Sequence, residues 1–379
     1  MSWNDFVYQI THPFQSLYRY WLYRRTIRTA SPHIVKQLSQ RWEASHPHTV
    51  ETMTEEEKDI VAAIQQKTKE LNRNNVTRTR AYLAFFQRCP EVHWAFLAHI
   101  VSRNGGWNMT DLKGDLIPNL IPPKQIEPLF LFLERANALI FHDAYPQLLL
   151  YEESKRRKKP LFHLLPCFFV SSFMKPFWDY FFEARHSALL TVALIINEQQ
   201  YIQQRVVEDE FFQKHVLSTL PFLVQQWLGM NDVLIPYKTT KQVRLAGITI
   251  RDFADVHHRI HIGKTLYGML FYKPWLIKRA YRFAVHCEHT GSRADFWPHA
   301  FSSTNTRHIS TIYSPCLEDA WPDIVHHFPD RRDWFEDVTI VKAIKNIPFV
   351  IDGDMTTTYS HHLVELQAAA AMKKLKNDE

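Results

Sequence analysis

The chain has 379 residues, of which 46% are apolar and 14% aromatic, enough to bury a large core in one domain or two. Its mean hydropathy of −0.29 is that of a soluble protein. The formal charge of +6 suits an anionic surface, but the 45 basic residues are spread along the chain without a DNA- or RNA-binding signature, which argues against nucleic acid.

From the N-terminus, residues 13–28 interleave Phe14, Leu17, Tyr18, Tyr20, Trp21, Leu22 and Tyr23 with Arg19, Arg24, Arg25 and Arg28. Rings alternating with arginines predict an amphipathic helix, able to lie on an anionic membrane surface or to pack on the protein body. Thr54 with Glu55, Glu56 and Glu57 predicts a capped helix over 54–71. Asn72-Arg73-Asn74-Asn75 breaks that pattern, and Thr77 or Thr79 is expected to open the next helix, 80–88, which stops before Cys89-Pro90. A helix over 91–103 is expected to end at Asn104-Gly105-Gly106 in a left-handed cap. Pro118, Pro122, Pro123 and Pro128 lead into a long helix, 128–157, kinked at Pro146.

The stretch 161–197 is the most apolar of the chain. Leu161–Phe182 has the length to cross a bilayer, but Pro166, Lys175, Pro176 and Asp179 interrupt it, so a buried helical hairpin with a central helix from Ser187 is expected. Helix continues to Trp227 and ends at Gly229. Alternating apolar residues on either side of Tyr237–Gln242 predict a small β-hairpin over 232–250. Helices follow at 252–272, 274–288 and 363–375, and 338–351 is open between strand and helix. The expected fold is therefore all-α, a multi-helix globular bundle with one small hairpin. Residues 1–70 read as an N-terminal helical region and 71–379 as a single helical domain, with a sub-lobe boundary near 229–250. Four dispersed cysteines, Cys89, Cys167, Cys287 and Cys316, without a CxxC pair, and no signal peptide at Met1–Asp5, predict a cytoplasmic protein, membrane-peripheral if residues 13–28 anchor it.

Three of the nine glycines, Gly105, Gly106 and Gly114, fall within ten residues, among Arg103, Asn104, Trp107, Asp111 and Lys113. This segment is expected to be a polar, anion-accepting loop leading into a helix near Thr110. Polar stripes on otherwise apolar helices could converge on it: His99, Ser102 and Arg103; Glu134, Asn137, His142 and Tyr145; Asp179, Glu183 and His186; Arg78 and Tyr82. Equally, such stripes could be interhelical ion pairs that fix packing. The ligand-binding candidates are Arg78, Tyr82, His99, Arg103, Asn104, Trp107, Asp111, Lys113 and Asp143. If the site is catalytic, His99, His142 or Glu134 would exchange protons and Arg103 would clamp an anion.

Metal candidates are weaker. His257 and His261 are one turn apart, and His286 and His289 are three residues apart, but no His-Glu-x-x-His is present. Glu183-Ala184-Arg185-His186 matches half of a di-iron motif, and its one counterpart, Glu43–His46, runs into Pro47. No Gly-x-Ser-x-Gly, Walker or Gly-x-Gly-x-x-Gly motif occurs, so no cofactor is implied.

The runs Asn75-Val76-Thr77-Arg78-Thr79, Ala98–Asp111, Phe141–Gln147 and Thr290–Asp295 together resemble an uncharacterised family of Bacillus and related Firmicute proteins, the YppC-like family. The likeness covers about 70–350. It implies a Firmicute source and transfers no activity or catalytic role. The leading expectation is a soluble helical protein binding a small anionic or polar ligand near Arg103–Lys113. The alternatives are a non-enzymatic membrane-surface or protein-interaction protein, with 13–28 as anchor and 161–182 as docking surface, and a metal-binding helical protein.

Overall fold

The computed structural model describes residues 26–29, 32–43, 53–219, 232–250, 255–305, 311–335, 343–348, 350 and 353–378. A short strand, β1 (Thr26–Arg28), is followed by helices α1 (Pro32–Glu43), α2 (Glu55–Leu71), α3 (Asn75–Arg88), α4 (His93–Asp111), α5 (Ile117–Leu120) and α6 (Pro123–Arg157). After a 3-10 turn at Phe162–Phe168 come α7 (Met174–Ala184) and α8 (Ser187–Ile202), then π-helical turns around α9 (Glu210–Phe212). The hairpin β2 (Asp232–Lys238) and β3 (Val243–Thr249) precedes α10 (Val256–Phe271) and α11 (Pro274–His286). Two-residue strands β4 (Phe301–Ser302) and β5 (Ile312–Tyr313), helix α12 (Leu317–Ala320), strand β6 (Asn346–Pro348) and helix α13 (Thr356–Asp378) complete it. The fold is mainly α, with three two-stranded sheets among the described residues.

Helix α8 is the hub. Residues 189–197 are all buried, so a helix apolar on every side is enclosed by neighbours, here α4, α6, α7 and α10. Helix α2 packs along α6 and places Val61 and Ile64 in the same core as α4 and α8. Its start follows the expected chemistry: Thr54 Oγ1 accepts from Glu57 N at 3.2 Å, and Thr54 N donates back to Glu57 Oε2 at 3.0 Å. The 232–250 hairpin forms as expected, antiparallel from Asp232↔Thr249 to Lys238↔Val243.

Several expectations are corrected. Helix α3 begins at Asn75, five residues before the expected start, because Asn74 is the cap. Its Oδ1 accepts from Thr77 N at 3.0 Å, and Thr77 Oγ1 takes the Asn74 N–H at 3.2 Å, so Thr77 is the partner within the box. Helix α4 does not stop at Gly105-Gly106. It runs on to Asp111, so 102–111 is helix, Thr110 lies in its last turn, and neither a left-handed cap nor an anion-binding loop exists there. The two glycines serve close approach instead. A Cβ on Gly106 would lie 2.4 Å from Asn75 Oδ1 and 2.5 Å from His289 Nε2, and one on Gly105 would lie 3.0 Å from Asn137 Nδ2.

Helix α6 starts at Pro123 and passes through both Pro128 and Pro146. At the N-terminus, residues 13–25 lie outside the described residues, and Thr26–Arg28 is a strand, not the end of a helix. It pairs antiparallel with Asn346–Pro348, which also settles 346–348 as strand. A strand that short is specified by its distant partner, which local periodicity does not reveal. The helix expected to reach Trp227 gives way to π-helical turns at 203–207 and 213–217, and 220–231 lies outside the described residues. The C-terminal helix begins at Thr356, seven residues earlier than expected. Among the described residues no helix is long and apolar enough to cross a membrane.

Candidate functional site

A cleft with a volume of about 730 Å³ lies between the C-terminal half of α2, the middle of α6, the 3-10 turn and the segment 323–328. That segment is pinned to the body at several points. Trp321 stacks on Phe130 with ring centroids 4.0 Å apart and donates to Met109 O at 2.8 Å. Asn74 Nδ2 donates to Asp323 Oδ1 at 2.7 Å, Arg135 Nη1 donates to His327 O at 2.9 Å, and the Arg135 guanidinium covers the Phe328 ring at 4.7 Å.

Behind His326, which lines this cleft, α6 presents Glu134, 2% exposed. One of its oxygens takes an ion pair from Arg78 on α3, whose Nη1 donates to Asn72 Oδ1 at 3.1 Å. The other oxygen accepts from His326 Nε2 at 3.1 Å. Burial alone would raise the Glu134 pKa, but the charge of Arg78 and the hydrogen bond from His326 outweigh it and hold the carboxyl below its ordinary value. An ionised carboxylate accepts only, so it fixes the Nε2–H tautomer of His326 and leaves Nδ1 as an acceptor. Nδ1 has no hydrogen-bond partner among the described residues, and His326 lines the cleft.

Two helical turns further along α6, the His142 ring stacks on Phe328 with centroids 4.1 Å apart. Burial, aided by the charge of Arg135, pushes its pKa down to about 4, so it is neutral at pH 7. The remaining lining is largely apolar, with Pro146, Phe168, Phe169, Ile324, Val325 and Phe328. At the rim, Arg73 is paired with Asp323 at 3.0 Å and Glu318 at 3.2 Å, while Lys69 makes no ion pair among the described residues.

Of the residues singled out by sequence, His142 lines this cleft, and Glu134 with its partner Arg78 lies buried behind the lining residue His326. The rest are distributed elsewhere. His99 and Arg103 are both 1% exposed. His99 Nδ1 donates to Thr79 O at 2.8 Å, and Nε2 accepts from Arg103 Nε at 3.1 Å, which makes it a neutral imidazole with both nitrogens used. Burial first, and then the Arg103 charge, hold its pKa well below the ordinary histidine value. Arg103 spends Nη2 on the Cys287 and Ala284 carbonyls and covers the Phe283 ring at 5.2 Å. Asn104 stands in for a strand neighbour, exchanging hydrogen bonds of 2.8 Å with both Leu234 N and Leu234 O. Trp107 is buried against His289 and Phe296. Asp111 pairs with Arg293 at 2.7 Å beside a cavity of about 30 Å³, room for little more than a water, and Lys113 covers the Trp321 ring at 4.5 Å. Asp143 is buried with Gln147 and Asn197, and Tyr82 is buried against Trp94 and Phe141.

The metal candidates do not converge. His186 caps α8 by accepting from Leu189 N, His286 Nδ1 bonds to Arg282 O at 2.8 Å, and His289 lies inside between Asn75 and Asp295. His257, His261 and Glu183 are exposed on separate surfaces of α10 and α7. Among the described residues no three or more His, Cys, Asp or Glu side chains form a group that could hold a metal ion.

Sequence reading missed His326, Asn72 and Lys69. The signal for His326 was present in Trp321-Pro322-Asp323-Ile324-Val325-His326-His327-Phe328-Pro329, a histidine pair between prolines in a stretch with no helical period. Nothing in it, however, says that this stretch lies over Glu134.

With this geometry, the chain belongs to a family described as proteins of unknown function (DUF2515), matched over residues 70–342. A curated relative is the uncharacterized protein YppC of Bacillus subtilis (strain 168). It is 39% identical to this chain over 316 residues, which cover 83% of this chain and 95% of the relative. No solved structure matches the chain.

Proposed function

We propose that the cleft over Glu134 is the functional site, binding a small amphipathic molecule and exchanging a proton with it through His326. The carrying observation is the buried, ionised Glu134, held by Arg78, that orients His326 at the floor of a 730 Å³ cleft. A carboxylate behind an imidazole fixes its tautomer, while the outer nitrogen meets substrate or water. The apolar lining suits the body of such a molecule, and Lys69, without an ion pair among the described residues, suits an anionic end. This keeps the expectation of an anion-accepting pocket but moves it from 103–113 to the cleft. His142, neutral at pH 7, serves as a second hydrogen-bond partner. The four free cysteines, Cys89, Cys167, Cys287 and Cys316, support a reducing, cytoplasmic setting.

Octanoate and octyl phosphate titrated into the full chain by calorimetry test the binding part, and p-nitrophenyl octanoate hydrolysis tests proton transfer. Lys69→Ala should weaken binding of both anions. His326→Gln and Glu134→Gln should each cut hydrolysis by about 100-fold, the lower end of what a positioned acid or base contributes. Wild-type hydrolysis no faster than that of His326→Gln, together with anion binding unaffected by Lys69→Ala, would remove the proposal.

A further inference from the structure

A second cavity, about 150 Å³, lies on the other side of α4 from Arg103, between α3, α4, α6, α8, β2 and α10. Trp94, Leu97, Ile140, Val233, Ile262 and Leu266 give it an apolar wall. Its outer edge is at Val101, which is 39% exposed although it lines the cavity. Cavities of this size with apolar walls hold one benzene-sized molecule.

The polar groups around it are unevenly satisfied. Arg259 is engaged by Gln199 Oε1 at 2.9 Å and Gln203 Oε1 at 2.7 Å. Glu198 accepts from Trp94 Nε1 at 3.1 Å and from Gln199 Nε2 at 3.4 Å. Burial pushes the Glu198 carboxyl up to about 8, so at neutral pH it faces the cavity mainly as an uncharged acid. Tyr82 differs from both. Its side chain lines the cavity and is 3% exposed, and its hydroxyl is buried with no hydrogen-bond partner among the described residues. Buried hydroxyls are normally paired, and an orphan one on a residue that borders a cavity marks where a partner is missing.

We infer that this cavity is a binding site for a small neutral molecule, about one six-membered ring in size, whose single acceptor oxygen takes a hydrogen bond from Tyr82. Its largely apolar walls favour a neutral ligand, with the lining Arg259 already engaged by Gln199 and Gln203. The site is independent of the cleft over Glu134: the two share no lining residue.

Cyclohexanone, benzene and benzoate, titrated into the full chain by calorimetry and thermal shift, test it. Cyclohexanone should bind saturably and benzene more weakly, while benzoate should not bind here. Tyr82→Phe should leave benzene binding unchanged and weaken cyclohexanone by about three- to tenfold, the worth of one net hydrogen bond. Without ligand, Tyr82→Phe should melt no lower than the wild type, because it removes an unpaired hydroxyl. Ala98→Leu, which puts bulk into the cavity, should abolish binding of both neutral probes while keeping wild-type circular dichroism. Absence of saturable cyclohexanone binding, cyclohexanone affinity within twofold after Tyr82→Phe, or neutral-probe binding that survives Ala98→Leu overturns the assignment.

Discussion

Replacing Asp143 by asparagine removes an ionisation that the folded protein resists. Asp143 is 2% exposed. Its Oδ2 accepts from Asn197 Nδ2 at 2.6 Å and Gln147 Nε2 at 2.9 Å, while Oδ1 has no hydrogen-bond partner among the described residues. Burial is the main reason its pKa is pushed up to about 8, with the Asp333 charge adding to it and the two amide donors working against it. In the unfolded chain the same group titrates near ~3.9. Because the folded value is the raised one, its contribution to stability is fully present below about pH 4 and is lost as pH rises through 8. Each pH unit in that window removes about 1.4 kcal/mol, so the wild type loses about 4 kcal/mol from this group between pH 5 and pH 8.

Asparagine has no proton to release and keeps an acceptor for Asn197 and Gln147. The stability difference between Asp143→Asn and the wild type should therefore swing by ~4 kcal/mol toward the variant over the same interval. Glu198 titrates in the same range in both proteins, so its contribution largely cancels in the difference. Urea unfolding followed by circular dichroism at pH 5, 6, 7 and 8 measures it. A difference that stays constant to within ~1 kcal/mol across the series refutes a neutral, buried Asp143.

Arg78→Met strands the Glu134 carboxylate in the core and should cost about 3–5 kcal/mol in urea unfolding at pH 7; a cost below ~1 kcal/mol would show that the pair does not matter. Asn104→Ala leaves Leu234 N–H and C=O unpaired inside the protein and should cost about 2–5 kcal/mol, with faster amide exchange across β2 as the residue-level readout. Gly106→Ala should destabilise by about 1–3 kcal/mol, because overpacking against the Asn75–His289 hydrogen bond exceeds the usual helical gain of up to ~1 kcal/mol; a rise in melting temperature would reverse that ordering. The His142 ring should show no NMR titration between pH 5.5 and 8, and a midpoint near 6.5 would mean it is solvated instead of enclosed against Phe328.

The helical architecture was largely legible from local chemistry. Thr54 with Glu57, the basic end of α6 and the uniformly apolar Ser187–Ile196 all act within a few residues of themselves, and the structure follows them. The alternation on either side of Tyr237–Gln242 likewise gave the β2–β3 hairpin. Where the reading failed, the missing information was a distant neighbour. Gly105-Gly106 looked like a helix stop because glycine ends helices, but here Asn75, Asn137 and His289 press close enough that only hydrogen fits. Thr26–Arg28 looked helical and became a strand because Asn346–Pro348 lies beside it.

The candidate site divides along the same line. Sequence by itself determined that polar groups interrupt apolar faces at Arg78, Glu134 and His142, since helical spacing sets which side chains share a face. Only the tertiary structure decided that Arg78 neutralises Glu134, that Arg103 and His99 spend themselves on internal carbonyls, and that His326 comes from beyond α12 to complete the cleft. Burial is what makes such groups act strongly on one another, and burial is a property of everything packed around a residue, not of its place in the chain.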